Sequence, residues 1–378
     1  MNSQLPKISF ILNYAPHYRK AVFKHLDSAF DCTFYFGDAL RVYNKKLDYS
    51  LLSKPVRELP VRWIYGNWTY YKNYISTIHD DSEVYILTGD MRNVSNWIIL
   101  LCLKLFYPNK KGLVWTHGWY GKETRFVGFV KKIFFALTDG ILCYGDYAKK
   151  LMIENGINPQ KIHVVHNSLD HVNQISYRDR IKSSTIYEDH FKNKYPTLVF
   201  TGRLSAKKRI DMILSAMSIL RIRGENYNLI VIGDGDEKEN LVSQTNNLGL
   251  TNNVWFYGEC FDEGVLSNLI YNAALCVSPG NVGLAAIHAM TYGTPTITHS
   301  DFSHQMPEFE TIKENITGAF FESGDIRSLA DTISCWFEVH KNDRELIREN
   351  CYKEIDTKWT SNYLVDATKQ CLIKLCNK

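Results

Sequence analysis

No stretch of about twenty apolar residues occurs in this 378-residue chain, so no candidate membrane-spanning helix is present. The longest apolar run, 97–107, is too short and is interrupted by Lys104. No pair among the nine cysteines has the Cys-x-x-Cys spacing, and their number is odd. That argues against a disulfide framework or a structural zinc site and predicts free thiols in a reducing compartment. Neither charge sign dominates: 44 Lys and Arg against 40 Asp and Glu give +4. This is far from the basic footprint of a nucleic-acid partner. The opening MNSQLPKISFILNYAP lacks the pattern of a signal peptide, because its apolar run is short and reads as a strand. A cytoplasmic protein is expected.

What is present is a globular composition, 45% hydrophobic and 22% charged, long enough for two domains. Aromatics reach 13%, which suits core packing or ring faces offered to sugars. Short continuous apolar runs at 7–14, 32–36, 61–65, 83–87, 112–116, 140–144 and 161–165 predict buried strands. Helical periodicity lies between them at 18–29, 70–78, 94–106, 125–137 and 147–155. A polar stretch, 172–195, reads as a linker with some helix. The alternation restarts with strands at 197–201, 229–232, 254–257, 275–278 and 294–298, and helices between them. The fold class is therefore α/β, two Rossmann-like domains with parallel sheets, and ligands are expected at the carboxyl ends of the strands.

Five loops after strands carry candidate chemistry. In FTGRLSAKKRID, Gly202 ends a strand, and Arg203 and Lys208 would stand beside a helix N-terminus, a setting for a diphosphate. A solvated basic turn is the alternative. In IGDGDEKEN, Gly233 permits a tight turn, while Asp234 and Asp236 read as caps of the following helix rather than metal ligands. In SPGNVGLAAIHAMTYGTP, Gly280 and Gly283 allow close backbone approach. A helix opening at Asn281, Val282 and Gly283 would aim its amides at an anion, with Leu284 packing and His288 either facing the ligand or, as is usual for a lone histidine on a helix, serving as a satisfied structural residue. In WTHGWYGKE, His117 directly follows a strand and could orient a hydroxyl, with Gly118 keeping the loop pliable; a loop histidine without a role is the alternative. Pro16, His17 and Arg19, in NYAPHYR after the first strand, would line the same edge.

Together these segments resemble the retaining glycosyltransferases of the GT-B fold, family four, in a subgroup serving bacterial polysaccharides and O-antigen. TGRLSAKKRID is similar to that family's Gly-Arg-Leu…Lys segment, KIHVVHNSLD to its Asn-Gly-Val-Asp strand end, and TGAFFESGDIRSLADTI to its Gly-Asp…Leu-Ala segment. The resemblance implies two domains facing a cleft. An acceptor-binding domain covers 1–171, a linker 172–195, and a nucleotide-sugar domain 196–355. A closing helix within 356–378 returns to the first domain. It implies Arg203, Lys208 and His117 as catalytic, with Gly202, Gly233, Asp234 and the turn from Gly280 to Leu284 at the donor. Pro16, His17, Arg19, His117 and Gly118 would meet the acceptor. No metal and no cofactor would be required beyond the nucleoside diphosphate sugar.

One departure stands out. The family usually has Glu at the positions aligned with Gly280 and His288. His288 could still hold a ribose, but glycine cannot replace a carboxylate, so Asn281 or Glu308 would take over the sugar contact. The segment 122–137, KETRFVGFVKKIFFAL, reads as a basic amphipathic helix, either core-facing or lying on a membrane surface near a lipid-linked acceptor. The alternatives to a transferase are a sugar-nucleotide epimerase or a catalytically inactive binding subunit of the same fold.

Overall fold

The computed structural model describes residues 5–41 and 45–376. It forms two compact units: the described residues up to Asp170 with those from Thr360 onward, and His171–Trp359.

In the first unit the apolar runs become strands with both faces covered. They are β1 (Ile8–Leu12), β2 (Cys32–Gly37), β3 (Arg57–Leu59), β4 (Val61–Trp63), β5 (Thr69–Tyr71), β6 (Val84–Thr88), β7 (Lys111–Thr116), β8 (Gly140–Cys143) and β9 (Ile162–Val164). Seven form a parallel sheet in the order β3-β2-β1-β6-β7-β8-β9. Helices α1 (Lys20–Ala29), α2 (Val94–Phe106), α3 (Arg125–Ala136) and α4 (Asp146–Glu154) connect them.

The expected strand at 61–65 is present as β4 but lies outside the parallel sheet, and the expected helix at 70–78 is corrected. β4 and β5 pair antiparallel as a hairpin outside the main sheet, and Tyr74–His79 is a 3₁₀ segment. Gly66 adopts φ +54° in the turn. The hairpin's own alternation buries Val61 and Tyr71 and leaves Tyr70 exposed, a two-residue period that a helix could not satisfy.

In the second unit, β10 (Thr197–Thr201), β11 (Asn228–Ile232), β12 (Val254–Gly258), β13 (Leu275–Ser278), β14 (Thr296–His299) and β15 (Gly318–Phe321) form a parallel sheet in the order β12-β11-β10-β13-β14-β15. Its helices are α5 (His171–Arg178), α6 (Ile186–Phe191), α7 (Ile210–Ile222), α8 (Lys238–Asn247), α9 (Glu263–Asn272), α10 (Leu284–Thr291), α11 (Ile326–Val339) and α12 (Arg344–Lys358). The stretch expected as a linker is instead part of this unit. It carries α5 and α6, and Tyr187 and Phe191 join the core with Val199 and Ile230. Two well-placed aromatics outweigh its polar average. The last helix, α13 (Ser361–Cys376), sends Leu364, Val365, Cys371 and Leu372 into the first unit's core beside Ile8 and Phe34.

Both sheets reverse strand order beside their first strand. Loops following β1 and β6, and those following β10 and β13, therefore leave neighbouring strands in opposite directions. That divergence opens the crevice in which doubly wound sheets bind ligands.

Candidate functional site

In the second unit the loops after β10, β11 and β13 pass through one another's backbones. Gly202 N–H donates to Ile232 O at 3.0 Å, Leu204 N–H to Asp234 O at 2.9 Å, and Gly280 N–H to Lys208 O at 3.1 Å. Gly233 sits at φ +145°, and a Cβ there would lie 2.0 Å from Gly202 O. This glycine is required by close approach and by its backbone conformation alike. Arg203 stands exposed and reaches Asp236 at 3.3 Å. Asp234 accepts from the Gly235 amide and from Lys238. Neither aspartate caps α8, whose N-cap is Glu237 with no side-chain bond. The expected capping role is thus replaced by loop bracing and by the ion pair to Arg203.

Gly280 explains its own departure. A Cβ at this position would lie 2.0 Å from Lys207 O and 2.8 Å from Lys208 C and Cα. The 3₁₀ turn Ala206–Lys208 is packed directly over it, so a glutamate there would displace the turn carrying Lys208. Lys208 reaches across and donates to Asn281 O at 2.7 Å. Burial lowers its pKa, and the nearby Glu308 carboxylate works the other way. Glu308 is buried in the 3₁₀ turn Pro307–Thr311. Asn281 Oδ1 is buried without a hydrogen-bond partner among the described residues, which makes this side chain available to a ligand.

α10 begins at Leu284, later than the sequence suggests, with Gly283 as an N-cap that offers no side chain. The Val282 amide, expected to face an anion, is instead taken by Gln305 Oε1 at 2.7 Å. Gln305 Nε2 is anchored on Thr298 Oγ1 and His299 O. The expectation of an anion at this turn is thereby narrowed to the first amides of α10, which lack intrahelical acceptors. His288, one turn along, is held by Glu263 Oε1 at 2.9 Å. Tyr292 and Gln174 donate to the same oxygen at 2.5 and 3.1 Å. Burial pushes the Glu263 pKa up, but the bonds from His288, Tyr292 and Gln174 outweigh it and hold the carboxyl at about 2. One ring nitrogen of His288 is thus committed to a carboxylate that orients the ring. Gln305 and Glu263 escaped sequence reasoning: the bonds that tie them to Val282 and His288 span 23 and 25 residues, without a local motif.

In the first unit, His117 follows β7 and packs on Tyr144, ring centroids 4.8 Å apart. Its pKa falls to about 4, first through burial and then through the charges of Arg19 and Lys131. The ring is neutral at physiological pH, and Nδ1 is buried without a partner among the described residues. Arg19 lies 4.4 Å over the Trp115 ring and donates to Tyr144 Oη at 3.0 Å, leaving Nε and one Nη unpartnered. His117 and Arg19 therefore form one cluster. Pro16 is buried and bridges to Lys46. His17 lies in the 3₁₀ turn before α1, its amide bonded to Lys45 O. Gly118 is packed on Met152, its amide bonded to Thr116 and its carbonyl to Lys131. Among the described residues, no group of three or more His, Cys, Asp or Glu is arranged to hold a metal ion.

Residues 183–354, within the second unit, match the family model described as Glycosyl transferases group 1. An uncharacterized 41.2 kDa protein in the cps region of Klebsiella pneumoniae is 25% identical over 226 residues, 57% of this chain and 58% of that protein. An uncharacterized glycosyltransferase of Methanocaldococcus jannaschii is 27% identical over 228 residues, 58% of this chain and 53% of that protein. The chain thus spans about half the length of these curated relatives. The crystal structure of Anabaena HepE in complex with UDP matches with a TM-score of 0.72, covering 98% of this chain and 100% of that one at 14% identity. The fold is that of the GT-B glycosyltransferases, two Rossmann-like domains with parallel sheets.

Proposed function

We propose that this protein is a glycosyltransferase, moving a sugar from a nucleoside diphosphate donor to a hydroxyl of a glycan or lipid-linked acceptor in surface polysaccharide synthesis. The observation that carries the reading is the interlocked crevice after β10, β11 and β13, where Lys208 bonds Asn281 O just before α10 and Arg203 stands exposed beside Asp236, with two obligatory glycines at the backbone crossings. Its similarity to the group 1 family model supports the class, and the cps-region relative supports the polysaccharide setting. UDP-glucose is the first donor to test, since the Anabaena neighbour was solved with it.

The bond between the anomeric carbon and the phosphate oxygen breaks, and negative charge grows on the leaving diphosphate. Arg203, Lys208 and the α10 amides offset that charge, the task a divalent cation performs elsewhere. An arriving diphosphate raises the pKa of Lys208 and favours its charged form. The acceptor oxygen attacks from the leaving group's face, which retains configuration, and its proton passes to the departing phosphate. Neutral His117 and Arg19 orient the acceptor, and His288, steadied by Glu263, faces the ribose. The apolar outer face of α3, flanked by Lys122, Arg125 and Lys132, rests on an anionic membrane surface near a lipid-linked substrate.

Arg203→Ala and Lys208→Met are expected to lower transfer by roughly 10²–10³ each, with unchanged urea midpoints. Activity should persist in excess chelator. Full activity in both variants, or strict dependence on added Mn²⁺ or Mg²⁺, would overturn the diphosphate assignment.

A further inference from the structure

A cavity of about 320 Å³ opens in the first unit at its own reversal point, between the loops after β1 and β6. One wall is the β4–β5 hairpin, with Trp63 and Tyr71. Asp90, Arg92 and Asn96, from the loop after β6 and the start of α2, form the other. This volume is at the small end for ligand sites, sufficient for one sugar ring and part of a second.

The walls are fixed before any ligand arrives. Thr69 N–H donates to Arg92 O at 3.0 Å, and Tyr71 N–H to Ser95 Oγ at 2.8 Å, stapling the hairpin to the opposite loop. Asn93 caps α2 by accepting from the Ser95 amide. Asp90 and Arg92 form a paired carboxylate and guanidinium at 3.0 and 3.3 Å, both partly exposed. That pair presents acceptors and donors side by side, the pattern that vicinal hydroxyls complement.

Two polar groups in the lining are left over. Tyr71 Oη and Asn96 Oδ1 are buried without a hydrogen-bond partner among the described residues, in side chains at most 1% exposed. Asn96 spends its amide nitrogen on Thr88 O and Asp90 O, which turns its oxygen outward from those bonds. Burying such groups unpaired costs folding free energy, so their presence in a cavity wall points to a partner that supplies donors and acceptors. Trp63, on the same face of the hairpin as Val61 and Tyr71, lines the cavity and is itself 41% exposed. Exposed aromatic faces beside neutral polar groups suit the apolar face and hydroxyl rim of a pyranose.

We propose that this cavity is a pyranose-binding subsite, with Trp63 stacking on the ring and Tyr71 Oη, Asn96 Oδ1 and the Asp90–Arg92 pair reading its hydroxyls. Its identification as the seat of the acceptor's terminal sugar rests on the transferase reading; saccharide binding as such does not.

The test is saturation-transfer NMR on the full chain, with methyl pyranosides of glucose, galactose, mannose and rhamnose as probes, and UDP binding measured on the same samples. At least one glycoside should bind saturably. Trp63→Ala should abolish the transfer. Tyr71→Phe should weaken binding about tenfold while thermal stability holds or rises, since it removes only an unpartnered hydroxyl. UDP binding should be the same in both variants. No saturable transfer from any probe, or transfer that survives both substitutions, overturns the subsite. Trp63-dependent binding to lipid vesicles without glycoside binding also overturns it, in favour of a membrane contact. Glycoside binding with no UDP binding leaves the subsite standing and defeats the donor reading.

Discussion

A single missing side chain decides the chemistry around Lys208. The Lys207 carbonyl lies where the Cβ of residue 280 would have to be, 2.0 Å away, so the backbone crossing excludes every larger residue. Gly280→Ala should lower stability by about 1–3 kcal/mol through overpacking, read as a lower urea midpoint with an unchanged slope. Gly280→Glu should lose activity rather than gain it; a faster enzyme would show that the crossing yields and that a carboxylate belongs there. His117 makes a prediction about pH. Its folded pKa is about 4 against an ordinary 6.5, so the unfolded chain takes up this proton first as pH falls. Stability from this ring is complete above about pH 6.5 and declines towards about pH 4, by on the order of 3 kcal/mol at most. Urea titrations across that window should show the decline, and His117→Gln should flatten it. An unchanged slope in the variant would place the titration on another group.

At the scale of elements, α3 and the hairpin show where periodicity stops being informative. α3 carries apolar residues almost all round, so its sequence suits a core-facing or a membrane-facing helix equally. In the structure Gly128 packs against Trp119, Phe134 and Phe135 face inward, and Phe126, Phe129 and Ile133 are 76%, 62% and 44% exposed. Lys131, expected among the surface cations, is instead held by Glu123 at 2.5 Å. Neighbouring α2 adds exposed Leu105 and Phe106, and Lys104 ties it to α3 through Ala136 O. Phe126→Ser with Phe129→Ser should reduce sedimentation with phosphatidylserine-containing vesicles by about tenfold or more. Equal binding by this double variant at low salt would remove α3 from the membrane contact. The segment 172–195 teaches the converse: a polar average, read as a linker with some helix, is drawn into the second unit because Tyr187 and Phe191 of α6 enter its core and Tyr177 of α5 packs against it.

At the scale of the whole molecule, the chain closes its first unit with its last described helix. Leu364, Val365, Cys371 and Leu372 complete a core begun by β1 and β2. Ending the chain after Trp359 should therefore collapse amide-exchange protection in β1 and β2 while β10 and β11 keep theirs; retained protection in the first sheet would show that α13 is dispensable. Residue order alone determined the two rounds of strand and helix, because strands buried on both faces must be written as continuous apolar runs. It also determined which loops hold the candidate donor site, since Gly202, Gly233 and Gly280 mark places where only glycine's backbone or bulk fits. Tertiary structure decided how these groups are held. Gln305 takes the Val282 amide, Glu263 fixes one ring nitrogen of His288, and Gly118 is packed on Met152 and bonded to Thr116 and Lys131. It also built the cavity beneath Trp63, whose walls come from separate segments spread between Asn13 and Asn96. Such contacts are set by how strands are ordered in a sheet, and no local pattern of residues records them.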